Sequence, residues 1–233
     1  MRRKKIEIAD ISLSLADIWR MLSDEEREII RKDARIVTYK KNEVIYYEEE
    51  YPKDMMCLLH GKVRIFKSGV GGRSHIIRMI RPIQYFGYRA YFAREPYVTA
   101  ASAFEESTIC LISMSIVEEL ISKNINFAIF FIQLLSVDLG IADERVVSLT
   151  QKHIRGRLAE TLIMLRNNFG YAEDGITINI MLSREDLANL SNMTTSNAIR
   201  TLSTFVEERM ILLDGRKIKV LNEEKLTKVS RIG

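Results

Sequence analysis

The side chains best suited to chemistry in this chain lie between Leu182 and Asn222, and the chemistry they suit is recognition. Thr194, Thr195, Ser196, Asn197 and Arg200 open one amphipathic run with short hydrogen-bonding groups and an arginine. A merely solvated helix is usually coated with glutamate and lysine; these residues can instead bond base edges and phosphates. Just upstream, Ser183 is an N-cap residue with the carboxylate of Asp186 three positions on. Leu187, Ala188 and Leu190 give the following short helix one apolar face, and Ser191-Asn192 breaks it. Thr194 or Thr195 then caps a longer helix whose Ala198, Leu202, Phe205 and Val206 recur at helical spacing. A short turn between two helices, the second polar at its start, is how a recognition helix reaches a major groove. From Met210 to Val220 two short apolar strands flank Asp214-Gly215, with Arg216, Lys217 and Lys219 at the tip and return strand, the pattern of a wing. Thr194 and Lys217 are expected on phosphates, giving affinity and register. Two structural helices and a hairpin in some other small α+β domain are the plainer alternative.

Bond-breaking chemistry has little support. Gly69, Gly71 and Gly72 fall in a hairpin turn and not between a strand and a helix, so no phosphate-cradling loop is formed. His60, His75 and His153 are scattered, with neither a catalytic arrangement nor metal-ligand spacing around them. Cys57 and Cys110 sit in apparent strands far apart in sequence and read as buried thiols of a reducing compartment. A cupin-like enzyme on a β-roll would need several histidines and glutamates at strand spacing. A scaffold built on a roll and a coiled coil would leave the polar helix unused. No enzyme is expected.

These groups must be positioned by 233 residues, 47% of them hydrophobic and 28% charged, enough for one or two cores in a folded protein. No uninterrupted apolar run approaches the ~20 residues of a membrane span, and the basic start MRRKKIEIAD lacks a signal peptide's apolar core. The net charge of +4 is uneven: residues 1–150 hold 22 basic against 21 acidic side chains, residues 151–233 hold 13 against 10. Leu15 to Arg31 is helical, with a second helix opening at Ser23-Asp24-Glu25-Glu26. Short β-rich runs follow from Ile36 to Met114, at the 8–12-residue spacing of a sandwich or roll. The third part is a helix over residues 124–150. Ala128, Ile132, Leu135, Leu139, Ala142, Val146 and Leu149 follow one another at spacings of 4 and 3, a heptad seam that predicts pairing with a second copy. Phe127, Phe130, Phe131, Leu134 and Ile141 form a second apolar face for the β part.

The order of parts resembles the cyclic-AMP receptor/fumarate-nitrate regulator (CRP/FNR) superfamily of bacterial transcription factors over nearly the whole chain. The carrying stretches are Tyr39 to Ile45, Leu58 to Ile65, Arg155 to Leu162 and Leu182 to Ala188. The resemblance implies a guanine for Arg200, and it places Ser196 where the family has a glutamate facing cytosine. It also exposes departures. Where cyclic-nucleotide binders carry a glutamate for the ribose this chain has Tyr88, and Val98-Thr99 replaces the Arg-Ser pair that holds the phosphate. Ala142 and Asp143 replace the dimer-helix hydroxyls. A phosphate in a partly dry pocket needs the lost charge, so cyclic AMP is not expected. Ile83 and Gln84 replace a Gly and an Asp in the preceding turn, which predicts a differently shaped loop. An iron–sulfur cluster needs four thiolates, and the haem-ligand position holds Arg89; neither cofactor is expected. Arg78, Tyr88, Arg89 and Thr99 remain, with Arg81, Tyr85, Tyr91, Arg94 and Tyr97 around them. They suit a small anionic or aromatic ligand, and equally a polar filling of an empty roll.

The expected molecule is α+β: a double-stranded β-helix (jelly roll) sensor at 1–123, a dimerisation helix and hinge at 124–152, and a winged helix-turn-helix at 153–233. It is a cytoplasmic homodimer that binds double-stranded DNA, and RNA polymerase too if it activates, with no membrane partner.

Overall fold

The computed structural model describes residues 15–69 and 74–232. The basic N-terminal arm and the glycine turn from residue 70 on lie outside the described residues. The chain forms two compact units divided within the long helix, between Gly140 and Ile141, residues 74–76 going with the second.

The first unit starts with α1 (Ala16–Trp19) and α2 (Asp24–Asp33). Ser23 caps α2 as its spacing to Glu26 requires: its Oγ accepts the Glu26 N–H at 3.2 Å and the Glu26 carboxylate accepts the Ser23 N–H at 2.8 Å. The strands are β1 (Arg35–Tyr39), β2 (Val44–Tyr46), β3 (Asp54–His60), β4 (Val63–Ser68), β5 (Ser74–Ile80), β6 (Tyr85–Phe86), β7 (Ala100–Ala103) and β8 (Ser107–Ser113). They make two four-stranded sheets, ordered β1-β8-β3-β6 and β2-β7-β4-β5.

Sequence and packing agree most closely in β3 and β8. Both read as nearly continuous apolar runs because both of their faces are buried, as in any central strand covered on two sides. Met56, Leu58, Ile109 and Leu111 join Val63, Ile65, Phe86 and Tyr97 in the core between the sheets. Met55, Cys57, Cys110 and Ile112 face the other way, toward Leu15, Ile18, Phe127, Phe130 and Phe131. Cys57 and Cys110, remote in sequence, are register partners across β3 and β8, and both are buried thiols not joined in a disulfide. Burial pushes the Cys110 thiol up to about 12 and the Cys57 thiol up as well, so both stay protonated and unreactive.

β6 and β7 carry no strand signal in sequence. The four residues of β7, Ala-Ala-Ser-Ala, are poor strand formers that are all buried, so packing rather than propensity makes them a strand. In the turn before β6, Ile83 adopts φ 70°, the left-handed conformation that a β-branched residue avoids. The expectation of an altered loop thus meets a turn that keeps a glycine-like backbone in spite of its isoleucine. Gly87, at φ 87°, is needed where it stands: a Cβ there would lie 3.2 Å from the Asp54 carbonyl oxygen and 3.3 Å from the Tyr97 hydroxyl.

After α3 (Arg89–Phe92) and α4 (Met114–Lys123), Asn124 caps the long helix α5 (Ile125–Gln151), its side-chain oxygen accepting the Asn126 and Phe127 N–H groups at 3.1 and 3.2 Å. Phe127, Phe130 and Phe131 are buried, and Leu134 packs partly beside them, as expected. Ile141 does not join them: it is exposed, because it falls past the last turn that the first unit covers. Along the seam, Ile132, Leu139 and Val146 are 61%, 63% and 60% exposed. Ala142 is exposed too, whereas Leu135 is half-buried against its own unit's core and Leu149 half-buried in the second unit.

The second unit adds α6 (Ile154–Phe169), α7 (Arg184–Leu190), α8 (Thr195–Glu207), strands β9 (Ile211–Asp214) and β10 (Lys217–Val220), and α9 (Glu223–Ile232). Leu158, Leu162, Leu187, Leu202, Phe205, Ile211, Ile218 and Leu226 are buried there. α9, packed along α6, was not anticipated; its signal was the Asn222 cap, whose side-chain oxygen accepts the Lys225 N–H at 2.8 Å.

Candidate nucleic-acid interface and sensor pocket

The turn between α7 and α8 is built by local capping. Ser183 Oγ accepts the Asp186 N–H at 3.0 Å and the Asp186 carboxylate accepts the Ser183 N–H at 3.0 Å, closing the predicted box. Ser191 ends α7, and Asn192 turns the chain with φ 48°. Of the two threonines, Thr194 is the cap: its Oγ1 accepts the Asn197 N–H at 3.2 Å. α8 buries Ala198, Thr201, Leu202 and Phe205 and leaves Thr195, Ser196 and Arg200 exposed on its other face. Arg200 is held by its own helix, Nη2 donating to Asn197 Oδ1 at 2.8 Å. That acceptor is neutral, so the guanidinium keeps its full charge and most of its donors for a partner.

Arginines behind the turn hold it rigid. Arg157 Nε and Nη2 donate to the carbonyls of Ser191 and Asn192 at 3.1 and 3.0 Å, and Nη1 donates to Lys152 O at 3.1 Å. From α5, Arg145 Nη2 donates to Leu190 O at 3.2 Å and to Ile76 O at 3.0 Å. His75 touches the same guanidinium; burial first and then that charge push its imidazole below its usual range. His153 begins α6 as its N-cap residue, at the break between α5 and α6 where the hinge was expected. None of these roles for Arg145, Arg157 or His75 was read from sequence, since each depends on contacts with distant carbonyls or side chains.

β9 and β10 pair Asp214 with Lys217 around Gly215-Arg216, so the turn lies one residue later than Asp214-Gly215. Gly215 takes φ 58° at the first central position, as a tight hairpin wants. Arg184 Nη2 donates to Gly215 O at 2.9 Å, tying the start of α7 to the wing tip, and leaves Arg216 and Lys217 exposed. Beside β10, Asp174 accepts the Thr177 hydroxyl at 2.5 Å and the Ile176 and Thr177 N–H groups at 3.1 and 2.8 Å. Those bonds hold its carboxyl down at about 2.

In the roll, three of the four residues marked for a ligand contact two that sequence reasoning missed, Asp138 and Tyr46. Arg78 Nη1 donates to Asp138 Oδ2 at 2.7 Å, and the Tyr88 hydroxyl donates to the same oxygen at 3.3 Å. Tyr88 is otherwise buried, with its ring edge-on to Phe131 at 5.5 Å. Thr99 bonds the phenol of Tyr46, whose ring stacks on Tyr97 at 3.9 Å. Burial pushes the Tyr46 phenol up to about 12, against the pull of Thr99, Arg78 and Arg89. Arg89 itself pairs with Glu95 at 2.8 Å. Ala142 and Asp143, which stand in place of the family's dimer-helix hydroxyls, are exposed; the helix carboxylate that meets the roll is Asp138, about one turn earlier.

Comparison with known proteins finds two family models in the order the fold requires. The model of a cyclic nucleotide-binding domain matches residues 36–124, and that of a Crp-like helix-turn-helix domain matches residues 156–229. The chain belongs to the CRP/FNR family of transcription regulators. Among its relatives is a CRP-like cAMP-activated global transcriptional regulator of Mycobacterium tuberculosis, 21% identical over 223 residues that cover 95% of this chain and 100% of that one. The anaerobic regulatory protein of Bacillus subtilis is 23% identical over 196 residues, 83% of this chain and 82% of the relative. FixK2 from Bradyrhizobium japonicum has the same fold at a TM-score of 0.76, with 24% identity over 84% of this chain and 96% of that one. As a CRP/FNR protein the chain is a DNA-binding transcription regulator, with an α+β fold of roll, long helix and C-terminal helix-turn-helix.

Proposed function

We propose that this CRP/FNR regulator works as a homodimer paired along α5, reads a two-half-site DNA duplex through α8, and responds to a signal other than cyclic AMP. The observation that carries the reading is the pair of exposed surfaces left in one chain: the seam of Ile132, Leu139 and Val146, and the polar start of α8. An apolar stripe of this length in water costs free energy that a second copy removes. α5 is long and apolar enough to cross a membrane by length and composition. However, Asp138, Asp143, Glu144 and Arg145 lie along it, and pairing covers the stripe without moving those charges into lipid.

At the DNA, Arg200 takes a guanine bidentately, Thr195, Ser196 and Asn197 sit against neighbouring edges, and Thr194 and Lys217 hold phosphates. In the roll, Tyr88 and Val98-Thr99 offer a cyclic phosphate no fixed charge, and Arg78 is already engaged by Asp138. A small anionic effector would compete with that carboxylate. The protein acts in the cytoplasm without haem or iron–sulfur cluster, catalyses nothing, and contacts RNA polymerase when it activates. Sizing with light scattering should give a dimer at micromolar concentration, and isothermal titration should give no heat with cyclic AMP. A monomer would contradict the assembly, and low-micromolar cyclic-AMP binding that weakens in Thr99→Ala would contradict the effector reading.

A further inference from the structure

The exposed side chains in the first turns of α8 are polar with one exception. Thr195, Ser196, Arg200 and Ser203 are exposed, and among them stands Ile199, 47% exposed. Three and four residues separate it from Ser196, Thr195 and Ser203, so it shares their face. A single exposed isoleucine is ordinary on a protein surface; its position at the centre of this face is not. The buried face of the helix is complete without it, since Ala198, Thr201, Leu202 and Phe205 fill that side.

An isoleucine has no donor or acceptor, so it can neither hold a phosphate nor bond a base edge. What the major groove offers it is the 5-methyl group of thymine, the one apolar projection among the four base-pair edges. We propose that Ile199 is a specificity-determining residue that packs against a thymine methyl in the same half-site as the guanine held by Arg200. The inference rests on the reading of α8 as the DNA-reading helix and adds a base to what that helix selects.

The local structure favours a fixed contact. A β-branched side chain in a helix keeps essentially one χ1 rotamer, so Ile199 is set before DNA arrives. Arg200, its neighbour, is set by Asn197. The hydroxyls of Ser203 and Thr204 are turned back onto their own helix, donating to the carbonyls of Ile199 and Arg200 at 3.1 and 3.2 Å. Two preset readers therefore stand side by side, one apolar and one charged, with Ser196 as the adaptable third. A thymine replaced by cytosine loses the methyl and presents an amino group to a side chain that cannot accept its hydrogen bond.

Base analogues separate the two contacts atom by atom. The full-length protein is first given a random DNA library, and each thymine of the selected half-site is then replaced in turn by deoxyuridine, which removes only the methyl. One such position should weaken binding about fourfold for one half-site, and about 16-fold when both are substituted. Ile199→Ala, which keeps the helix, should be much less sensitive to the same replacement, while both proteins should still lose affinity when 7-deazaguanine removes the N7 acceptor facing Arg200. A half-site that lacks thymine, a deoxyuridine scan flat at every position, or an Ile199→Ala protein as sensitive as wild type would overturn the assignment. If no DNA is bound at all, the fault lies in the reading of α8 and not in the role of Ile199.

Discussion

Arg78 in the roll and Arg200 on α8 are the same side chain in opposite conditions. Arg78 faces a carboxylate, with the Tyr88 hydroxyl on the same oxygen, so its charge is cancelled from inside the molecule. Arg200 faces the neutral amide oxygen of Asn197, which fixes its direction and leaves its charge outward. An arginine recognises an anion or a guanine only with the charge and donors its own protein has not taken. The difference teaches that the two ends of this regulator are prepared unequally: the DNA end is open to its partner, and the sensor end already contains an anion.

The severest way to break this picture is to remove the second copy. Leu139→Glu with Val146→Glu should yield monomers that bind a two-half-site duplex about 100-fold more weakly or worse, because the second half-site no longer adds to the first; gel shift beside light scattering reads both. Next comes Arg200→Ala, for which about 5- to 150-fold should be lost on the preferred duplex and little on one mutated at the guanine. At the sensor end, Asp138→Ala should sharpen the comparison by freeing Arg78. The pair is partly solvated, so thermal unfolding should show a loss of about 1 kcal/mol or less, recovered in part by sulfate, which should do little for the wild type. Lys217→Ala should weaken all sequences alike and lower the slope of log affinity against log salt by about one.

The smallest effect concerns Asp174 beside the wing. Its carboxyl, held at about 2 against an ordinary 3.8, contributes stability above pH 3.8 that is lost as pH falls through about 2. Asp174→Ala should therefore be less stable than wild type at pH 7, with the gap closing between pH 4 and pH 2 in acid unfolding followed by circular dichroism.

Much of this was legible because it is written locally. The Ser183–Asp186 box, the Thr194 cap and the apolar spacing of α8 lie within a few residues of one another, so the helix-turn-helix could be read before any packing was known. The aromatic face of α5 was legible for the same reason, until Ile141 ran past the first unit. What stayed hidden needs two distant stretches at once. Cys57 opposite Cys110 follows from strand register, and Asp138 meeting Arg78 depends on which turn of α5 lies against the roll. β7 was hidden for another reason: alanines form a strand only where burial leaves no room for more. Ile199 was in plain view but matched neither a core nor a polar pattern, and only the exposure of its face gives it meaning.

The central claim is that α8 reads DNA through Arg200. Selection from a random duplex library with wild type and with Arg200→Ala, followed by sequencing, tests it most directly. The account predicts a two-fold symmetric motif for wild type with one guanine per half-site that becomes indifferent in the variant while the flanking preferences survive. An identical motif from both proteins would contradict it.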